Sequence, residues 1–270
     1  MYRKDQSARE NKSTPVVREA QEADIDRLVE LEFETFHDVY ETHPVDPDRV
    51  RAMLVTRLAI IQELMIVGEV DGTVEGVMAS QRTSKGYSQV KSWEETTNNG
   101  LLAGTHEPEG KNFYIVNLAV TKKGSQHNLS DQLIAATLGR FVGVQGEEAQ
   151  LLSRIPQFRQ WTEDRQIDFD SLSLADQDAL AEKYVYETKV VNGRERLYDG
   201  VLQRYVDAGA RPKAILRDSY TDPSSYNYEV LCTYENPLPE ALRKNRVASS
   251  LAGRAIRYAS NHPWLLKKIL

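Results

Sequence analysis

The stretch FYIVNLAVTKKGSQHNLSDQLIAATLGRF, residues 113–141, decides the fold of this chain. Residues 113–120 are almost wholly apolar and rich in β-branched and aromatic side chains, which predicts the strongest strand in the chain. Polar residues follow at 121–128. From Leu129 onward, apolar residues recur at helical spacing, which predicts an amphipathic helix over 129–141. A strand that leads through a short polar turn into a helix is typical of α/β domains.

The neighbouring sequence extends this unit in both directions. The Asp71-Gly72 pair predicts a hairpin between two strands, and Gly209 ends a helix as a C′ glycine. The fold class is therefore α/β, with a mixed central sheet of about seven strands flanked by helices. The predicted strands are 15–18, 64–70, 73–83, 113–120, 149–154, 214–216 and 228–234, and the predicted helices are 23–36, 47–61, 129–141, 173–184 and 197–208; residues 84–111 are predicted as a long loop.

The composition is that of a globular protein, since 40% of the 270 residues are hydrophobic and 27% are charged. No run of about 18 apolar residues occurs, so no transmembrane segment is expected. Residues 1–14 are polar and lack the apolar core of a secretory signal, which predicts a disordered arm. Cys232 is the one cysteine, so no internal disulfide forms, and a cytoplasmic location is expected.

Charge is unevenly distributed along the chain. The net charge is −6, but residues 239–270 hold seven basic residues and one acidic residue, a net +6, which leaves −12 for residues 1–238. Because phosphate contacts require clustered Lys and Arg, the acidic body is not expected to bind nucleic acid. We therefore expect one domain at 15–238 and a basic C-terminal helical extension at 239–270.

That extension contains a predicted helix at 240–260. Its apolar stripe is predicted to be Val247, Leu251, Ala255 and Ala259, with basic residues around it. Three interpretations are open: the helix packs on the acidic body, docks an acidic carrier protein, or lies on an anionic membrane.

Residues 117–120 (NLAV), with the polar turn and the helix that follow, resemble the acyl-CoA motif of the GNAT (N-acetyltransferase) superfamily. The predicted order of elements over 15–234 is also that of the superfamily. The resemblance implies a V-shaped splay between the fourth and fifth strands, and it implies an acyltransferase (GNAT type) that holds an acyl-pantetheine thioester in that gap.

A narrower resemblance is to the GNAT-like domains of polyketide synthase loading modules. It rests on four stretches: 77–82 (VMASQR), 129–133 (LSDQL), 199–210 (DGVLQRYVDAGA) and 228–234 (YEVLCTY). Those domains are described as acyltransferases or malonyl decarboxylases that act on an acyl carrier protein. The resemblance implies acyl-CoA or an acyl carrier protein as donor, a small-molecule or carrier-bound acceptor, and a place in polyketide or other secondary metabolism.

The resemblance also assigns residues to the co-substrate, an acyl-CoA or phosphopantetheine thioester; no metal is expected. The strand edge (Leu118, Ala119 and Val120) would hydrogen-bond the pantetheine arm, and the turn would bind pyrophosphate at a helix N-terminus. The turn residues are Ser125, Gln126, His127, Asn128, Leu129 and Ser130. Gln126 and Asn128 replace glycines of the family pattern, and of the two Asn better tolerates a left-handed backbone. We therefore expect weak binding of free CoA, and a smaller effect on carrier-bound pantetheine, which has one phosphate.

Three residues stand at the family's catalytic positions. Tyr205, four residues before Gly209, would protonate the departing thiolate, although the loading-module domains have a histidine there. Ser153 replaces a threonine that would polarise the thioester oxygen. Asn117 stands where many acetyltransferases have a general-base glutamate, and an amide cannot take a proton. The alternative interpretations are that Tyr205 packs in the core and that Ser153 caps a strand end.

Other reactive or aromatic residues are assigned more generally. Cys232 is expected in the core. His37 and His43 are expected at the surface near the acceptor side and not as metal ligands. Trp93 and Trp161 would either roof the acceptor site or anchor loops. Two further functions stay open: a catalytically silent GNAT-like docking or scaffold module, and a small-molecule N-acetyltransferase.

Overall fold

The computed structural model describes residues 15–266, so the predicted arm 1–14 and the end of the extension lie outside the described residues. The strands are β1 (Val16–Glu19), β2 (Met65–Val70), β3 (Thr73–Thr83), β4 (Asn112–Val120), β5 (Glu148–Arg154), β6 (Thr188–Val191), β7 (Arg194–Leu197), β8 (Arg211–Arg217) and β9 (Tyr228–Glu235). The helices are α1 (Ile25–Thr35), α2 (His37–Thr42), α3 (Pro47–Ile61), α4 (Trp93–Thr97), α5 (Lys122–Gln126), α6 (Leu129–Gly143), α7 (Phe158–Asp164), α8 (Leu174–Tyr186), α9 (Gly200–Asp207), α10 (Glu240–Arg243), α11 (Arg246–Ser260) and α12 (Pro263–Leu266).

Seven strands form one mixed sheet in the order β1-β2-β3-β4-β5-β9-β8. Every neighbouring pair is antiparallel except β4 and β5, which run parallel. Parallel neighbours need a crossover connection, and here α5 and α6 supply it. The predicted fold class and the predicted strand number are confirmed.

The parallel pair separates soon after it begins. Only three residue pairs are in register, from Phe113 opposite Ala149 to Ile115 opposite Leu151. Beyond them β4 continues to Val120 alongside β3 alone, while β5 continues alongside β9. The predicted V-shaped splay between the fourth and fifth strands is confirmed.

Helices cover both faces of the sheet, since α1 and α3 pack on the central strands from one side and α6 packs from the other. Two glycines allow α6 to approach closely. Gly68 and Gly76 are paired across β2 and β3, and a Cβ at Gly76 would lie 3.1 Å from both Leu129 and Leu133. The N-terminal end of α6 is thereby fixed against the sheet, close to the splayed part of β4.

Several short elements correct the sequence interpretation. The loop predicted at 84–111 contains α4, and the polar turn at 121–128 contains α5. Residues 188–197 form a separate two-stranded hairpin, β6–β7. Its turn, Asn192-Gly193, has positive φ at both residues, and Asn-Gly between two strands is a strong hairpin signal. The sequence therefore held the evidence for this hairpin.

The basic extension packs on the body, along the outer side of α6. Small residues make the contact: a Cβ at Gly253 would lie 2.6 Å from the Cα of Gly143 and even closer to the carbonyl oxygen of Gly139. The predicted apolar stripe is wrong at three of its four residues, because Val247 and Leu251 are 68% and 61% exposed, Ala255 is exposed, and Ala259 alone of the four is buried. Backbone proximity, which residue hydropathy does not encode, decides which side of α11 is buried.

Candidate active site

The splay between β4 and β5 opens into a cavity of about 460 Å³. The two strands supply part of its wall, including Asn117, Leu118 and Leu152. Helices α1, α2 and α3 supply another part, and α9 supplies Val201 and Tyr205. The cavity therefore lies where the fold leaves strand edges unpaired inside the protein.

The open edge of β4 is partly occupied by a tryptophan. The indole Nε1 of Trp93 donates to the carbonyl oxygen of Val116 (2.8 Å), and Trp93 also lines the cavity. Leu118, Ala119 and Val120 pair with β3 on one side, and no strand pairs with their other side among the described residues. The edge predicted to hold pantetheine thus faces the gap. Trp161 is fully buried and lies outside this wall.

The turn between β4 and α6 is more compact than predicted. The side chain of Thr121 accepts from Gly124 N (3.0 Å), and the amides of Ser125, His127 and Asn128 donate to carbonyl oxygens within the turn. Asn128 has φ 55° and ψ 34°, so it adopts the left-handed conformation considered from the sequence. Several amides assigned to pyrophosphate are therefore already engaged.

The first turn of α6 offers other amides, because helix N-termini leave backbone N–H groups without intrahelical partners. Leu129 and Ser130, the first two residues of α6, have buried side chains. Their possible contribution to phosphate binding is therefore through the backbone and the helix dipole.

A second concavity of about 530 Å³ lies beside this helix end. Asn128 and Asp131 of the α6 end, hairpin β6–β7 and α9 line it. Its basic residues are Lys189, Arg196 and Arg204, and its acidic residues are Asp131 and Asp207. Arg196 is paired with Asp207 (3.0 Å). With three basic and two acidic residues, the cleft has a net charge of +1. Hairpin β6–β7, which the sequence analysis did not predict, forms one of its walls.

Tyr205 lies in the cavity wall on α9 and is 8% exposed. Its backbone carbonyl accepts from Tyr234, whereas its hydroxyl has no partner among residues 15–266. Burial raises the pKa of Tyr205 well above its usual range. The phenol therefore stays protonated at neutral pH, as a proton donor requires and a base does not.

Ser153 and Asn117 lie in different surroundings. Ser153 is buried, its Oγ donates to the carbonyl oxygen of Arg154 (3.0 Å), and it is not among the residues that line the cavity. Leu151, Leu152 and Arg154 supply the β5 part of the wall instead. Asn117 does line the cavity, and its Oδ1 is buried without a partner. The structure brings Asn117 and Tyr205 together in one wall but not Ser153.

Asn117 has a carboxylate neighbour from another part of the chain. Its Nδ2 lies 3.5 Å from Oε2 of Glu32 on α1, and Oε1 of Glu32 accepts from the hydroxyl of Tyr40 (3.2 Å). Burial raises the pKa of Glu32, and the nearby Arg57 opposes that shift. A carboxyl group with a raised pKa beside position 117 supplies the proton acceptor that Asn117 itself cannot be.

Arg57 on α3 is the second buried charge that the sequence analysis missed. It is 1% exposed, its Nε donates to the carbonyl oxygen of Gly100, and its Nη1 has no partner. Burial lowers the pKa of Arg57. A signal was available: Glu32 continues the apolar stripe of Leu28, and Arg57 continues that of Leu54. A charged residue on the buried face of an amphipathic helix is a candidate functional group.

A second buried carboxyl group, that of Glu229 on β9, also lines the cavity. It accepts from Oγ of Ser219 (2.8 Å). Burial raises the pKa of Glu229 to about 7, although the hydrogen bond from Ser219 opposes the shift. The cavity therefore contains two buried acids, Glu32 and Glu229, that the sequence analysis did not identify.

The remaining candidates take ordinary positions. His37 lines the cavity and His43 is exposed. Cys232 is fully buried on β9, and burial raises the pKa of its thiol to about 12, as suits a core residue. No cluster of three or more His, Cys, Asp or Glu side chains within residues 15–266 is arranged to hold a metal ion.

Two solved structures resemble this arrangement over nearly their whole length. The GNAT-like decarboxylase GphF, in complex with isobutyryl-CoA, matches with a TM-score of 0.60 at 20% sequence identity, over 82% of this chain and 99% of its own. The loading GNATL domain of CurA from Lyngbya majuscula matches with a TM-score of 0.61 at 16% identity, over 82% of this chain and 98% of its own. This chain has the GNAT fold. No protein-family model matches the sequence, and no curated protein matches it.

The GNAT fold accounts for the position of the cavity. Its parallel strand pair is the one that splays here, and the helix after the fourth strand begins beside the splay. The predicted resemblance to the superfamily and to the loading-module domains is confirmed at the level of the fold. No helix within the described residues is long and apolar enough to cross a membrane.

Proposed function

We propose that this protein is an acyltransferase that moves an acyl group from an acyl-pantetheine thioester to an acceptor bound in the same cavity. One observation carries the proposal: the unpaired edge of β4 borders a cavity at Asn117 and Leu118, and the buried phenol of Tyr205 lines the same cavity. An extended pantetheine arm offers amide groups that such an edge can pair with. The GNAT fold of the two similar structures supports this choice.

Each step is assigned to a group in the wall. The edge of β4 orients the thioester, and the acceptor enters from the side of α1 and α3. Attack on the thioester carbonyl releases a thiolate. Tyr205 gives the thiolate its proton, because burial keeps the phenol protonated. Ser153, whose hydroxyl is bound to a backbone carbonyl, would need to rotate before it could polarise the thioester oxygen.

The donor is acyl-CoA or a carrier-bound thioester. The cleft beside Asn128, with Lys189, Arg196 and Arg204, provides cations for phosphate groups. Asp131 and Asp207 in the same cleft oppose a highly charged nucleotide, and several turn amides are engaged internally. We therefore keep the expectation of weak binding for free CoA, with a carrier-bound phosphopantetheine preferred. The sequence resemblance to polyketide loading-module domains, together with the fold shared with the loading domain of CurA, supports a role in polyketide or other secondary metabolism.

A thermal-shift titration with acetyl-, isobutyryl- and malonyl-CoA, followed by an assay of thiol release, tests the proposal. A ligand at about 100 times its dissociation constant stabilises the folded state by roughly 2.7 kcal/mol. The assay has no background from accessible protein thiols, because Cys232 is buried. Stabilisation and acceptor-dependent thiol release are expected. Failure of every CoA and carrier-bound thioester to bind or react would favour the silent docking module.

A further inference from the structure

Unpaired polar atoms cluster in one part of the cavity wall. Ten buried side-chain N or O atoms lack a partner within the described residues. Three of them, Thr35 Oγ1, Arg57 Nη1 and Asn117 Oδ1, belong to residues that line this cavity. Buried polar groups in folded proteins are nearly always hydrogen-bonded. All three lie between α1, α3 and β4, and a rotation of each side chain would turn its unpaired atom toward a molecule bound in the cavity.

Two opposite charges stand in the same part of the wall without an ion pair between them. Glu32 and Arg57 both line the cavity and both are buried, and no ion pair joins their side chains within residues 15–266. The other cation of the wall, Arg154, is fully engaged by Asp38 and Asp222. A buried charge without a close partner is unfavourable. A ligand that brings one charge of each sign would satisfy both.

We propose that the acceptor is a free α-amino acid, with its ammonium group at Glu32 and its carboxylate at Arg57. This inference rests on the proposed function. An ammonium group has three donors, which suit a carboxylate, the unpaired Asn117 Oδ1 and the unpaired Thr35 Oγ1. A carboxylate accepts from the unpaired Arg57 Nη1.

Other acceptors satisfy this wall less completely. A simple amine leaves the guanidinium of Arg57 without an anion, and a monocarboxylic acid places a second negative charge near Glu32. A carrier thiol or water leaves both charges uncompensated. A zwitterion with an ammonium group and a carboxylate matches both signs and both kinds of unpaired atom.

The reaction balances with the groups at hand. Glu32 takes one proton from the ammonium group, and the nitrogen lone pair then forms a C–N bond with the thioester carbonyl. The C–S bond breaks and its electrons leave with sulfur, which receives the proton of Tyr205. The second proton lost by the nitrogen restores Tyr205, and Glu32 releases its proton to solvent. The products are an N-acyl amino acid and the free thiol.

The test compares matched acceptors on the full-length protein, with thiol release from acetyl-CoA and isobutyryl-CoA as the readout. Each amino acid is compared with its amide, which lacks the carboxylate charge, and with the corresponding decarboxylated amine. We expect kcat/KM for the best amino acid to exceed that of both analogues by at least about tenfold, since each analogue leaves a buried charge unpaired. Equal values for the three compounds would overturn the inference.

Two variants separate the roles of the charges. Arg57→Met should raise KM for the amino acid by about tenfold or more and change KM for the decarboxylated amine much less, because the amine has no carboxylate for Arg57 to bind. Glu32→Gln should lower kcat for both by about a hundredfold, as expected for loss of a general base. Asp24→Asn, which neutralises a buried carboxylate at the other end of α1, is the matched control. Its kcat and KM should equal those of the unmodified protein.

Calorimetric titration with the amino acid alone measures binding without turnover, so it distinguishes failure of the proposed acyltransferase function from failure of the amino-acid inference. Amino-acid binding that Arg57→Met abolishes, without cleavage of any thioester, would support an amino-acid site at Glu32 and Arg57 but refute the proposed function and, with it, the role of the amino acid as acceptor. Thioester cleavage without amino-acid binding or preference would refute the inference alone. The melting temperature of each variant shows whether loss of binding reflects misfolding. At unchanged melting temperatures, loss of binding in Arg57→Met but not in Arg57→Lys shows that the charge is required, and loss in both shows that the guanidinium geometry is required too. Binding retained in both variants would overturn the inference.

Discussion

Replacement of Tyr205 by phenylalanine separates catalysis from stability. The hydroxyl of Tyr205 has no partner among residues 15–266, so Tyr205→Phe leaves no buried group unpaired and should change the free energy of unfolding by less than about 1 kcal/mol. A general acid contributes roughly 100- to 10,000-fold to the rate, which corresponds to about 3–5 kcal/mol of activation free energy. The variant should therefore lose most of its activity and almost none of its stability.

The assay is thiol release under single-turnover and steady-state conditions, together with thermal unfolding. Tyr228→Phe is the matched control, since Tyr228 is a buried tyrosine on β9 whose hydroxyl donates to Asp178 away from the cavity. Because burial raises the pKa of Tyr205, its proton should not be lost below about pH 10. A Tyr205→Phe rate within threefold of the unmodified protein would remove Tyr205 from the mechanism.

Three further predictions concern stability. Burial raises the pKa of Glu229 from 4.5 to about 7, so the folded protein binds this proton more tightly than the unfolded chain does, and the carboxyl group lowers the free energy of unfolding as pH rises from 4.5 through 7. Glu229→Gln removes this loss. In urea titrations, the free energy of unfolding of the variant minus that of the unmodified protein should therefore increase by roughly 2–3 kcal/mol between about pH 5 and pH 8. Gly253→Ala should destabilise by about 1–3 kcal/mol, because its Cβ would meet the backbone of Gly139 and Gly143. Gly143→Ala, whose Cβ would lie 3.8 Å from Gly253, should not, and equal melting temperatures for the two variants would refute the close contact. Deletion of residues 239–270 should lower the melting temperature and reduce the rates with CoA-bound and carrier-bound substrates together, because α11 covers α6; a selective loss of the carrier-bound rate would instead support docking through the extension.

The sequence by itself determined the fold class and the chain order of the seven strands in the main sheet. The apolar run at 113–120 and the helical spacing after Leu129 have local causes, namely the strand and helix periodicities of side-chain direction. The same local rules identified the turn at Asp71-Gly72 and the helix end at Gly209, both confirmed. The same rules also apply to the Asn192-Gly193 turn, but the polar residues around it hid the two strands of its hairpin from the sequence analysis.

Tertiary structure decided which side chains share the cavity. Glu32 and Asn117 are 85 positions apart in the chain, and no local pattern relates α1 to β4. The buried side of α11 was likewise fixed by close backbone approach at Gly253 and not by the apolar residues Val247 and Leu251. Sequence patterns record how each segment divides its own surface between core and solvent. The pairing of charges across segments depends on how those surfaces meet, and that is settled only when the chain has folded.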